Sequence, residues 1–138
     1  MGYLVGTDGS PVSETAVAHA ATLAAQANES LTIVHVLTPK TILLDGKLVL
    51  PGEKEALEWG EETINRAVRI AQEEAETVSV QTELLTGRPA EAITDHAAAM
   101  GSTGIIVGHR GDDVEYDRVG SVAKTVVDKA SVPVTIVK

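Results

Sequence analysis

Short apolar runs recur along this chain at intervals wide enough to hold a helix, and that spacing restricts the fold more than any other feature of the sequence. Tyr3-Leu4-Val5-Gly6 reads as a first strand, Leu31 to Val36 as a second and Val78 to Leu84 as a third. Gly104-Ile105-Ile106-Val107-Gly108 reads as a fourth and Pro133 to Val137 as a fifth. Between them lie segments of helical period. Asp8-Gly9-Ser10-Pro11 breaks the first strand, with Ser10 placed as an N-cap and Pro11 at the first helical position of a helix running to about Ala27. Glu53 to Glu76 is a long helix carrying Leu57, Ile64, Val68, Ala71 and Ala75 along one face. Pro89 opens a helix whose face is Ala90, Ile93, Ala97 and Met100, and Gly101 ends it. The last helix starts near Gly120-Ser121 and is expected to bury Val122, Val126 and Val127.

Strand and helix alternate four times before a closing strand. Right-handed crossovers then give an α/β fold, a parallel open sheet with helices on both faces. The third strand alternates Val78, Val80, Thr82 and Leu84 against Ser79, Gln81 and Glu83, so one side is wet and the strand belongs at an edge. The fourth strand is continuously apolar, as a central parallel strand should be. No repeat, low-complexity tract or linker interrupts the chain, which predicts one domain over residues 1–138. Thr38 to Gly52 falls outside the scheme. Its Asp45-Gly46 lies between Ile42-Leu43-Leu44 and Lys47-Leu48-Val49-Leu50, a hairpin signal. Such a hairpin could be a flap on its own domain, a lid over a ligand or a dimer contact.

Composition removes several functions. The absence of cysteine excludes disulfides, thiolate chemistry and cysteine zinc sites. A net charge of −9, from 20 acids against 11 bases, repels nucleic-acid backbones and anionic membranes. No apolar run approaches the ~20 residues of a membrane span. Met1 to Val5 enters a strand without a basic region or cleavage site, so a cytoplasmic location is expected. His19, His35 and His96 are dispersed without ligand spacing, and no metal site is expected. Glu14, Glu61, Glu62, Glu73, Glu74 and Glu76 read as solvated helix surface, and Trp59 as helix packing.

Open parallel sheets bind ligands beyond the carboxyl ends of their strands, where strand order reverses. Two segments follow strand ends in a way that suits this: Gly6 to Ser10, and Gly108-His109-Arg110-Gly111 followed by Gly120-Ser121. If the first and fourth strands are neighbours, the two segments face one crevice. The second has the parts of a phosphate cradle. Glycines expose backbone N–H groups, Ser121 stands at a helix N-terminus, and His109, Arg110 and Arg118 add donors or positive charge. Glycines here could equally do no more than turn a strand into a loop.

Val5-Gly6-Thr7-Asp8-Gly9-Ser10, Ile33-Val34-His35-Val36, Ile106 to Gly111, Gly120-Ser121-Val122 and Val132-Pro133-Val134 resemble the universal stress proteins, in order and across nearly the whole chain. The resemblance implies a five-stranded Rossmann-like sheet of order 3-2-1-4-5, akin to the adenine nucleotide alpha hydrolase-like folds, and ATP, with or without Mg²⁺, as ligand. It assigns Asp8 and the main chain at Val36 to ribose and adenine, and Gly108, Gly111, Gly120, Ser121 and Val122 to the phosphates; His109 and Arg110 join them from the reading of the loop itself. One departure stands out. The ATP-binding pattern of the family has nine residues between its second and third glycines, whereas Gly111 and Gly120 enclose eight, Asp112 to Val119. Four of those are acids, Asp112, Asp113, Glu115 and Asp117, against the base Arg118, which opposes a polyphosphate unless they face water or hold a cation. A nucleotide-free dimeric scaffold is therefore the competing reading.

Enzymatic alternatives find little support in these residues. Thr7-Asp8-Gly9-Ser10-Pro11 is not the Ser-Gly-Gly-x-Asp-Ser loop of pyrophosphate chemistry, and the third strand ends in Leu84-Leu85-Thr86 without the Asp of a phospho-acceptor domain. Neither a Gly-x-Ser-x-Gly elbow nor a Walker loop is present, so no catalytic residue is named and any ATP hydrolysis should be slow. The fifth strand, at an edge in the implied order, is expected to pair with its two-fold mate in a homodimer.

Overall fold

The computed structural model describes residues 2–37, 42–44, 47–49, 53–109 and 120–138. In chain order the elements are β1 (Gly2–Gly6), α1 (Pro11–Ala27), β2 (Ser30–Leu37), β3 (Ile42–Leu44), β4 (Lys47–Val49), α2 (Glu53–Glu74), β5 (Val80–Thr86), α3 (Pro89–Met100), β6 (Gly104–Gly108), α4 (Ser121–Lys129) and β7 (Val134–Val137). Five strands form one sheet in the order β5-β2-β1-β6-β7, and all four pairings are parallel. Counted along the chain, this is the order 3-2-1-4-5. The reversal falls at β1, which pairs with β2 on one side and β6 on the other.

Local chemistry sets the helix ends. Ser10 Oγ accepts from the Ser13 N–H at 3.3 Å, and Pro11 follows at the first turn, as read from the sequence. α1 ends at Asn28 in the left-handed region (φ +56°), whose N–H reaches the Ala24 and Ala25 carbonyls. α3 ends likewise at Gly101.

Successive strand residues point to opposite faces, so two cores result. Val5, Leu31, Ile33 and Ile106 pack under α1 and α2, where Ala16, Ala20, Ala21, Ala24, Ala67 and Ala71 let the helices lie close. Leu4, Val34, Val36, Ile105 and Val107 pack against α3 and α4. Burying each of the larger aliphatic side chains contributes roughly 1.5–3 kcal/mol.

The edge position expected for the third strand holds, and β5 is half exposed along its length. β3 and β4 form the antiparallel hairpin expected around Asp45-Gly46, with Leu43 opposite Leu48. The turn itself, and the choice between flap, lid and dimer contact, lie outside the described residues.

Several burial expectations fail for geometric reasons. Val122 and Val127 of α4 are 40% and 49% exposed, while Ala123 and Val126 face the core. At about 100° per residue the two valines fall on the flanks of the 123–126 stripe. Leu57 is exposed because α2 overhangs the sheet. Gly60 already sits over Leu37, the last residue of β2, so the residues preceding it run beyond the strand ends. Trp59 is not packed in the core. The residue is 43% exposed, with the Arg66 guanidinium 5.8 Å from the ring centroid. Glu14 is not simply solvated, since Arg66 Nε donates to its Oε2 at 3.1 Å. α2 ends at Glu74, two residues before the expected Glu76.

Candidate functional site

β1 runs out at Gly6, and the chain is then gripped from several sides. The Thr7 N–H donates to the Val34 carbonyl at 3.0 Å, extending the β1–β2 ladder by one residue. The Thr7 carbonyl accepts from His35 Nδ1 at 2.8 Å. Thr7 Oγ1 lies 2.9 Å from Ser13 Oγ and accepts the Gly9 N–H at 3.2 Å. Asp8 closes an Asx turn, its Oδ1 accepting the Ser10 N–H at 2.9 Å. Among the described residues the other carboxylate oxygen of Asp8 has no partner. Gly9 takes φ +84°, a conformation that glycine adopts without penalty, and its carbonyl accepts from Arg66 Nη2 at 3.3 Å.

Across the reversal, β6 ends at Gly108. A methyl group there would lie 2.8 Å from Val12 Cγ1 and 3.3 Å from the Ser13 nitrogen. This glycine therefore lets the start of α1 sit directly on β6, a role in chain packing that sequence reading had missed. The His109 N–H donates to the Val137 carbonyl at 2.7 Å, and its carbonyl accepts the Gly120 N–H. His109 is 4% exposed, yet among the described residues neither ring nitrogen has a hydrogen-bond partner. Gly120 is the N-cap of α4 and has no side chain to cap it, leaving the first-turn N–H groups of Ser121 and Val122 at an exposed helix N-terminus.

These contacts connect Asp8, Gly108, His109 and Gly120 among the anticipated residues. From His35 the links pass through Thr7 and Ser13 to Gly108, then His109 and Gly120, with Asp8 hanging from Thr7. Val36 is buried at the carboxyl end of β2, one residue from His35. Arg110 and Gly111 lie outside the described residues. The expected hydrogen-bonding role of His109 finds no protein partner among the described residues. Thr7, Ser13, His35 and Arg66 were missed as supports. His35 gives a signal, a lone polar residue in an apolar strand, which the sequence reading places in the Ile33–Val36 motif and tests as a metal ligand but not as a support. Among the described residues no helix is long and apolar enough to cross a membrane.

The molecule is thus an α/β protein of the doubly wound open-sheet class, with the carboxyl ends of β1 and β6 side by side at the topological switch point. It belongs to the universal stress protein family, whose model matches residues 3–138. A universal stress protein of Bacillus subtilis is 33% identical over 144 residues, covering 98% of this chain and 97% of the relative. One from Methanocaldococcus jannaschii is 30% identical over 139 residues, covering 98% and 80%. The solved universal stress protein of Archaeoglobus fulgidus in complex with dAMP superposes with a TM-score of 0.77 at 26% identity, covering 100% of this chain and 98% of that one.

Proposed function

We propose that this chain is a single regulatory domain, residues 1–138, that binds an adenine nucleotide, ATP with or without Mg²⁺, at the β1/β6 switch point. The observation that carries the reading is His109: a buried imidazole whose two nitrogens find no partner among the described residues, next to a helix N-terminus that Gly120 gives no side-chain cap. Leaving a buried polar group unpaired costs about 1–3 kcal/mol, and a phosphate at that place would satisfy one nitrogen and the α4 amides together. Asp8 would hold the ribose through its free oxygen, main chain at Val36 the adenine edge, and Gly108, Gly120, Ser121, Val122, His109, Arg110 and Gly111 the phosphates. The dAMP complex of the Archaeoglobus relative supports the ligand class. A bound Mg²⁺ would offset phosphate charge against Asp112, Asp113, Glu115 and Asp117.

Nucleotide binding should raise the melting temperature through mass action. Ligand at a hundred times its Kd contributes about 2.7 kcal/mol, or about 9 °C for a chain this size. His109→Ala and Gly120→Leu should each abolish that shift and leave the unliganded fold intact. No shift with millimolar AMP or ATP plus Mg²⁺, at several salt concentrations, would replace this reading with the nucleotide-free dimeric scaffold. Hydrolysis is proposed to be slow, far below the ~10 per second of a typical enzyme.

The same reading includes a homodimer through β7. Residues facing β6 follow from parity. The Pro133 and Val137 carbonyls both accept from β6 or its extension, so the N–H groups of Val134 and Ile136 point outward. Those outward groups would pair with a two-fold mate.

A further inference from the structure

We propose that His35 is the positioning residue of this site: by donating from Nδ1 to the Thr7 carbonyl, it fixes the loop that presents Asp8. The nucleotide-binding consequence rests on the reading above, but the positioning role does not. A carbonyl oxygen only accepts, so at 2.8 Å the proton of this bond sits on Nδ1. Thr7 is the first residue beyond β1, where the sheet ladder no longer provides for every main-chain group. β2 holds it twice, through the Val34 carbonyl and the His35 ring. The hold then passes to Gly9 through Thr7 Oγ1, so Asp8 lies between two restrained neighbours. An apolar side chain at 35 would match Leu31 and Ile33 on the same face, yet would leave the Thr7 carbonyl without this partner.

The ring is itself held. It is 6% exposed, and a methyl group at Gly60 of α2 would lie 3.2 Å from its Cδ2. α2 thus lies on the imidazole through a residue without a side chain. The same helix brings Trp59 to the far side of the loop, where its Cζ2 would be 3.5 Å from a methyl group at Gly9. As the only tryptophan, it is a built-in reporter of loop position.

The experiment compares wild type with His35→Asn, His35→Gln and His35→Leu. An Asn amide can donate from near the Nδ1 position, whereas Gln reaches toward Nε2. Circular dichroism establishes folding. NMR hydrogen exchange of the Gly9 and Ser10 amides, with Trp59 fluorescence, reads the loop, and calorimetry with AMP and with ATP plus Mg²⁺ reads affinity. We expect His35→Leu and His35→Gln to speed Gly9 exchange and weaken nucleotide about tenfold, the effect of one lost hydrogen bond. His35→Asn should restore most of both. Wild-type exchange in the Leu variant, or equal loss in Asn and Gln, overturns the proposal. If Leu fails to fold, the Asn and Gln pair decides. If wild type binds no nucleotide, the ligand reading fails, and the order of exchange rates among the variants still decides the role of His35.

Discussion

Gly108 offers a sharp test of how the two halves of the site are joined. Replacing it with Ala places a methyl group 2.8 Å from Val12 Cγ1 and 3.3 Å from both the Ser13 nitrogen and the Val12 carbonyl carbon. The shortest contact is to a β-branched side chain, stiff at χ1, and the other two atoms are main chain of α1, held by the Ser10 cap and by the Thr7–Ser13 bond, so the conflict is costly to relieve. Overpacking of this kind costs about 1–3 kcal/mol. Against it stands the gain from reducing unfolded-chain freedom, about 0.4–1 kcal/mol. The net expectation is a loss of about 1–2 kcal/mol. With an unfolding entropy of about 2.1 cal/mol/K per residue over 138 residues, each kcal/mol moves Tm by about 3.5 °C. Gly108→Ala should therefore melt about 3–7 °C lower by calorimetry. Because the displaced segment begins at Val12 and carries Ser13, the partner of Thr7, nucleotide affinity should also fall. A variant as stable as wild type or more so would refute the idea that this glycine exists to admit α1.

Gly101→Ala isolates backbone strain. An added methyl meets nothing within 4 Å, but φ is +63°, so a loss of about 1–2 kcal/mol and the corresponding drop in Tm should come from conformation alone. The Glu91 carboxyl is held below its ordinary value, first by the hydrogen bond from Lys129 at 2.9 Å, then by the Lys129 and Arg88 charges. Its contribution to stability is present above the ordinary Glu value and fades as pH falls through the lowered one. NMR titration should place its midpoint below that of an exposed Glu, and Lys129→Ala should raise it. In β7, Ile136→Pro removes an outward donor and should convert the proposed dimer to monomer in light scattering. Thr135→Pro strikes the ladder to β6 and should lower Tm instead. A dimer untouched by Ile136→Pro would exclude this edge as the interface.

The elements themselves were legible because their signals are local. Continuous apolar runs marked β2 and β6, and Ser10-Pro11, Pro89 and Gly101 marked helix ends through bonds reaching only a few residues. Even the β3–β4 hairpin could be read from Asp45-Gly46. Strand order was different: periodicity places β1 and β6 in a sheet without making them neighbours, and the order came from resemblance. Facing was ambiguous wherever the apolar arc of a helix is wider than its contact with the sheet. Val122, Ala123, Val126 and Val127 span about 140° of α4, and only its docking angle turned Ala123 inward and the outer valines to solvent. Leu57 reads as part of the buried face, and Trp59 as helix packing, because nothing in a sequence says where the sheet beneath a helix stops. His35 shows the limit most clearly. Its residue type and place in β2 were visible from the start, but its partner is a carbonyl 28 residues away, brought into reach only when β1 and β2 pair in register and α2 closes over the ring through Gly60. Propensity and capping act within a turn or two, and so sequence determined what each segment becomes; contacts between distant segments exist only after the sheet assembles, and so the tertiary structure decided which groups meet.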